Sequence, residues 1–578
     1  MKKKLFVLIL FASSIFVSGQ SFNGFALYNP QGESTTYLID ENENVAHEWA
    51  LTTECNYAVA LKENGNLVRG TKNTPNILGG AAAGGRVQEI APDGTIVWDY
   101  IYSDADHLSH HDLTLIGDNV LLTAWEVKTA AEVNAAGGNA ALGTAPYESW
   151  PTHFIELEPD GNGGANIVWE WHIWDHMCQT NDPSKPNYVT NISDHPELID
   201  IDMLNNHIGD EDWFHVNGVD YNEDLDQIVF SSRFASEIYI IDHSTTTQEA
   251  ASHDGGNSGM GGDILYRWGN PSNYGFIGQD QVITSAVHDA RWITDDGRPN
   301  GGFLQIFNNC AGNGGCSGGG GPGGGGGSPT ANSTIDGIET PWDPSTNKYL
   351  RTNGEPFEPT SFTTRYECEY SSSGQSASDR MSNGNIYVNA SGGQGGAGVM
   401  YEVDAATEQI IWGPYQASSQ KGFRYECDYP GIIALESYMY LNPPRPITTS
   451  CFQSAESWDC DGAGECKDPG DGTGQYSTQN DCQIDCSQTS VKDMSNRISI
   501  YPNPTNRDII IELQSYSEDI TVKLYNTLGK EVYNKGISSF TGVLNERIGL
   551  EDYSEGVYIL HIINNTGQLY TKQISYIK

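Results

Sequence analysis

Basic side chains are scarce in this sequence. Lysine and arginine number 30 against 75 aspartates and glutamates, a formal net charge of −45 over 578 residues. That balance argues against nucleic acid as a partner, because neutralising phosphates needs basic patches. It also draws attention to any local cluster of arginine and histidine, since the surrounding field repels anions. Long apolar runs are missing as well: beyond the N-terminus none reaches the ~20 residues of a membrane-spanning helix. Helical periodicity is nearly absent from residue 20 to about 442, and no regular EF-hand loop occurs. What remains points to a β-rich protein outside the cytoplasm.

Its address is legible at the start. Lys2-Lys3-Lys4, an apolar stretch from Leu5 to Val17, and Val17-Ser18-Gly19 read as a secretory signal over 1–19. The 11 cysteines suit disulfides in an oxidising compartment, and the odd count leaves at least one unpaired within the chain.

From 20 to about 445 a strand-turn-strand unit recurs, with Gly, Asn and Asp at the turns. Examples are YAVALKENGNLVRG (57–70), HDLTLIGDNVLLTAW (111–125), HVNGVDYNEDLDQIVFSSR (215–233) and HDARWITDDGRPNGGFLQIFNN (288–309). A second kind of hairpin, such as VQEIAPDGTIVWDY (87–100), alternates with it. Two hairpins make a four-stranded blade, and repetition every ~45–80 residues with insertions predicts a β-propeller of about six blades. The first blade is expected to be closed by strands from both chain ends. Residues 311–328, AGNGGCSGGGGPGGGGGS, form a Gly-rich insertion whose start is flanked by Cys310 and Cys316. Residues 451–486 are poor in apolar side chains and free of histidine, so disulfides rather than zinc are expected to hold them, with the pairing open. Residues 487–497 read as a linker, and 498–578 as a small β-sandwich.

Three of the hairpins begin with histidine: His111, His215 and His288. The first strand of a propeller blade lines the central channel, so equivalent positions in different blades converge although they are far apart in sequence. The hairpin from Asp212 to Arg233 also returns to its starting level, which brings His215, Asn217 and Arg233 to one end of a sheet. Imidazoles, an amide and a guanidinium suit an anionic group such as sulfate or phosphate. His110 beside His111 is a second candidate for the same position. Asp112 and Asp289, each directly after a channel histidine, are candidates to set a tautomer, although neighbours on a strand face opposite ways. The pair His172 and His176 follows a strand rather than a helix, and no metal is assigned to it. No cofactor is expected; the acidic loops offer oxygen ligands for Ca²⁺.

Two resemblances add to this reading. YPNPT (501–505), VKLYNTLGKEV (522–532) and GVYIL (556–560) resemble the C-terminal sorting domain of the type IX secretion system. It implies export by that machinery, with release or attachment at the cell surface. HVNGVDY…IVFSSR, LYRWGNP and HDARWI…FLQIFNN resemble the arylsulfate sulfotransferase family of secreted six-bladed propellers, over roughly 22–445. That likeness implies PAPS-independent transfer of a sulfuryl group from a phenolic sulfate to a phenol, through a sulfurylated histidine. Carried over by motif, His288 is the nucleophile, His215, His111 and Arg233 complete the catalytic set, and Asn217 and His110 bind substrate. The family's extra N-terminal β domain has no match here, which leaves oligomeric state open. The competing reading is a non-catalytic surface propeller for binding or adhesion.

Overall fold

The computed structural model describes residues 21–138, 148–203, 211–279, 281, 286–311, 332–372, 374–392, 398–452, 458–460, 466–467, 475–476, 478–479, 482, 498–516, 519–564 and 569–578. The signal segment, nearly all of the Gly-rich insertion, most of 451–486 and the 487–497 linker lie outside these. No described helix is long and apolar enough to cross a membrane.

Six four-stranded antiparallel sheets follow one another along the chain. Blade I is assembled from both ends: its innermost strand is Ser419–Glu426, followed outward by Gly24–Pro30, Thr35–Ile39 and Val45–Ala50. Blade II begins with Cys55–Leu61, blade III with His107–Ile116, blade IV with Val216–Asn222, blade V with Val287–Trp292 and blade VI with Ala377–Arg380. These six inner strands neighbour one another in ring order, as a six-bladed propeller requires.

Alternation along each strand builds the core between blades. On Gln227–Ser232 of blade IV, Phe230 faces Phe154 and Trp171 of blade III, while its neighbour Val229 packs with Leu304 and Ile306 of blade V. Each such buried side chain contributes roughly 1.5–3 kcal/mol.

The inner strands of blades II to V are irregular. Register shifts fall between Cys55 and Val59, Ser109 and Leu113, Val216 and Gly218, and His288 and Arg291. His111, His215 and Asp289 adopt positive φ of 48°, 54° and 54°. Bulges re-aim side chains, and left-handed backbone at non-glycine residues is held only where surrounding structure imposes it. At Gly218 the adjoining blade comes so close that a Cβ would lie 2.8 Å from the Asp289 backbone nitrogen.

Cys451 is bonded to Cys427, just beyond blade I's innermost strand. The sequence reading placed Cys451 at the start of a separate module; the bond instead staples the segment after the last strand to the propeller. Compact units divide after Phe452. Within 453–578, Cys466 pairs with Cys482. The C-terminal unit holds a three-stranded sheet (Ile498–Tyr501, Asp508–Tyr516, Phe540–Gly549) and a four-stranded one (Glu531–Ile537, Ile520–Asn526, Gly556–Asn564, Leu569–Tyr576), which share an apolar core that includes Ile511, Val522 and Leu560. This is a β-sandwich.

Candidate active site

The bulges of blades III, IV and V deliver three imidazoles to one place. The rings of His111 and His215 lie 4.5 Å apart, centroid to centroid. His288 is close enough to both to depress the basicity of His111 and to feel His215 in turn. Arg233 joins them because its backbone N–H donates to the His215 carbonyl at 3.0 Å, which closes the hairpin end. The four residues that sequence drew from three blades therefore form one cluster.

Hydrogen bonds decide the tautomer of His288. Its Nδ1 lies 3.0 Å from the Ala286 carbonyl and 2.7 Å from Asn309 Oδ1. The Asn309 amide nitrogen donates to the Ser372 and Gly374 carbonyls, which identifies the oxygen facing His288. Both atoms near Nδ1 only accept, so Nδ1 carries the proton and Nε2 presents a lone pair. Burial, then the positive charge of Arg233, lowers the His288 pKa to about 3. The ring is neutral at physiological pH.

His215 is set up differently. Its Nδ1 lies 2.5 Å from Asp212 Oδ2, and the Asp212 Oδ1 accepts from the Trp125 indole at 2.9 Å. Burial pushes the Asp212 carboxyl up, but His215 and these hydrogen bonds outweigh it, and the group ends below its usual range. An ionised Asp212 fixes His215 with Nδ1–H inward and Nε2 toward the cluster. The motif D-x-x-H was visible in the sequence; the role of Asp212 was not drawn from it.

Arg233 is half-buried, and its guanidinium has no hydrogen-bond or ion-pair partner among the described residues. Burial lowers its pKa, and Asp212 and Tyr57 offset part of this. In a chain with so large an acidic excess, an arginine left without a carboxylate is a ready donor for an anion.

Three expected positions have other partners. His110 and His111 both fall inside the bulge, so simple alternation cannot separate them. His111 reaches the cluster, whereas His110 stacks on Trp125 at 4.1 Å and shares a 2.8 Å Nδ1–Nδ1 hydrogen bond with His111. All three rings, His110, His111 and His288, are buried, and the shared bond lets His110 orient His111. Asn217 is fully buried, and its amide donates to the Val287 carbonyl at 2.8 Å and accepts from Ser231 at 2.6 Å. It holds the strand that carries His288. Asp112 and Asp289 set no tautomer. Asp112 Oδ2 accepts from the Val219 N–H of blade IV, Asp289 Oδ2 from the Ser378 N–H of blade VI, and both carboxylates meet the buried Lys421 of blade I. Lys421 and Asn309 carried no signal in the sequence.

A cleft of about 730 Å³ adjoins the cluster, lined by Tyr57, Leu78 and Gly79 to Ala83 among others. Tyr57 also meets the His111 ring edge-on at 5.8 Å.

The buried histidines make stability depend on pH. Burial holds His110, His111, His288 and, in blade III, His153 below the ordinary histidine value of 6.5. A histidine depressed in the folded state leaves the unfolded chain binding more protons below pH 6.5, so stability is full above that value and falls as pH drops toward 3. His172 has the opposite sign. Burial lowers it, but Glu126 and Glu170 raise it to about 9, so its contribution is present below 6.5 and lost as pH rises toward 9. The free energy of unfolding in urea should therefore peak near neutral pH and fall on the acid side by ~1 kcal/mol or more per pH unit, with the midpoints following it. Equal midpoints at pH 5 and pH 7 would contradict this.

Comparison with known proteins decides the family. Residues 15–313 match the model of the arylsulfotransferase family (ASST). The chain belongs to the arylsulfotransferase family. Residues 499–577 of this arylsulfotransferase match a secretion-system C-terminal sorting domain, which marks it for type IX export to the cell surface or medium. No curated protein matches the sequence. Similar solved structures include a protein of unknown function from Bacteroides caccae (11% identity, 68% of this chain and 93% of that one, TM-score 0.34). Others are the periplasmic gluconolactonase PpgL of Pseudomonas aeruginosa (10%, 91% and 99%, 0.33) and the Cps50 (Swd1) β-propeller domain of Myceliophteria thermophila (9%, 69% and 87%, 0.31). His111, His215, Arg233 and His288 all fall within the matched part of the arylsulfotransferase, and Lys421 lies beyond it.

Proposed function

We propose that this arylsulfotransferase moves a sulfuryl group from a phenolic sulfate to a phenol through a sulfurylated His288. The observation that carries the reading is the His288 ring: neutral, with Nδ1–H held by two oxygens and Nε2 left as a lone pair, in the field of a guanidinium that has no carboxylate partner among the described residues. In the first half-reaction Nε2 attacks sulfur, the N–S bond forms, and the S–O bond to the aryl group breaks. Positive charge that builds on the ring is stabilised by the Ala286 and Asn309 oxygens that accept from Nδ1–H. His215, backed by Asp212, gives its Nε2 proton to the departing phenolate. In the second half-reaction the acceptor phenol loses its proton to His215, its oxygen attacks sulfur, and the N–S bond breaks.

Arg233 and His111 stabilise the sulfuryl oxygens. If His110 donates the shared Nδ1 hydrogen bond, His111 keeps a proton on Nε2 and presents a donor to the anion. The cleft beside Tyr57 suits an aryl group, because Tyr57, Leu78 and Ala81 to Ala83 give it apolar lining at the edge of the cluster, along with polar Asn56, Lys72 and Asn73.

The test is turnover of 4-nitrophenyl sulfate with phenol as acceptor, followed by release of 4-nitrophenol and formation of phenyl sulfate. Arg233→Ala should lower kcat/KM by about 10²–10³-fold, the cost of one preorganised donor at a developing charge. No turnover of any aryl sulfate by the wild-type chain would return the molecule to a binding propeller.

A further inference from the structure

Away from the cluster, three metal-ligating side chains meet at the outer rim. Blade III's outermost strand ends at His172 and runs into a short turn, Ile173–His176. His253 and Asp263 come from the connection between the third and fourth strands of blade IV. The ligand atoms of His176, His253 and Asp263 lie within 4.8 Å of one another.

Their hydrogen bonds leave an unresolved conflict. His176 Nε2 is 2.8 Å from the Ala250 carbonyl, so Nε2 carries a proton. A neutral ring then aims its Nδ1 lone pair at Asp263 Oδ1, 2.8 Å away. His253 Nδ1 lies 2.7 Å from the same oxygen. Two ring nitrogens thus converge on one carboxylate oxygen. His253 can donate its Nδ1–H as a neutral ring, but His176, with Nε2–H already given to Ala250, could donate to the same oxygen only as an imidazolium, a charge wholly shielded from solvent and paired with Asp263 alone. A bridging cation removes the conflict, because all three atoms then point lone pairs at it.

We propose that His176, His253 and Asp263 bind a divalent cation of the zinc type. Two imidazoles and one carboxylate suit Zn²⁺, whereas Ca²⁺ asks for six or more oxygens. The Ala250 carbonyl bonded to Nε2 is the second-sphere partner that metal-ligating histidines usually keep. The surroundings are built around the ring. His176 stacks on Trp171, whose indole donates to the Gly262 carbonyl at 2.7 Å, and a Cβ at Gly262 would lie 2.6 Å from His176 Nε2. Ligand bonds of ~2.0–2.1 Å need the nitrogen–oxygen separations to open by roughly 0.5 Å. The His253 ring is 56% exposed and stands on a loop, so it has room to move and leaves a fourth position for water. The cation would clamp the end of blade III to the long connection of blade IV. It stands apart from the sulfuryl chemistry.

Calorimetric titration of the EDTA-stripped full-length protein with zinc chloride tests this. The expected result is one tight site per chain, weakened at least ~100-fold in His253→Ala, with zinc raising the melting temperature of the wild type alone. His253 is exposed, so its variant should melt with the stripped wild type; Asp263→Asn provides a second loss of ligand. Calcium chloride should give no comparable site. Absence of tight zinc binding in the wild type, or identical binding in wild type and His253→Ala, would overturn the proposal. His176 would then be an imidazolium that shares the Asp263 oxygen with a neutral His253.

Discussion

His288→Ala should reduce sulfuryl transfer from 4-nitrophenyl sulfate by about 10⁴-fold or more while leaving the melting temperature close to wild type. A loss of that size is ~5.5 kcal/mol of transition-state stabilisation, as expected when a covalent route is removed rather than one of several donors. The structural basis is specific to this imidazole. His111 loses a ring nitrogen to His110, and the Nδ1 of His215 is taken by Asp212. Of the three clustered histidines, only His288 combines a buried neutral ring with Nδ1 pinned by two acceptors. Without acceptor, the wild type should release one equivalent of 4-nitrophenol in a burst and hold the sulfuryl group on a peptide containing His288. His288→Ala should show no burst. If the alanine variant kept a full burst, the nucleophile would be another residue.

A second large effect is expected far from any substrate atom. Lys421 sits on the innermost strand of blade I, almost without solvent access, between Asp112 of blade III and Asp289 of blade V. The two carboxylates are not equivalent. Burial raises Asp112 in spite of Lys421, whereas Asp289, which also has Arg291, ends below its usual range. Asp289 is the firmly ionised partner. Lys421→Met removes the shared cation and leaves two buried acids facing one another, which should cost about 3–5 kcal/mol in urea unfolding. Replacing both acids as well, as Asp112→Asn with Asp289→Asn, should recover much of that loss. Full additivity of the three substitutions would show that the triad carries no coupling. Each acid directly follows a site histidine, so the single variant should also loosen the bulges that hold His111 and His288.

Some of this was readable without coordinates, for a physical reason. A propeller repeats one supersecondary unit, so residues at the same point of the unit meet at the axis whatever their separation in the chain. His111, His215 and His288 were recognisable on that ground. Arg233 was recognisable because an antiparallel hairpin returns to its own level, and Arg233 does bond back to His215. The all-β class, the closure of blade I by both chain ends and the terminal sandwich follow from alternation and turn residues, which act locally.

What the tertiary structure alone decided depends on departures from alternation and on contacts across blades. Bulges broke the two-residue period where it mattered, so only coordinates could separate His111 from His110 or turn the Asn217 amide toward Val287. Asn309, Asp212, Lys421 and the Cys427–Cys451 bond act through partners that no local pattern announces. Sequence by itself determined which residues approach the axis, because repetition sets that. Tertiary structure decided which nitrogen of His288 is left open, because a tautomer is set by the acceptors that packing brings to the other side of the ring.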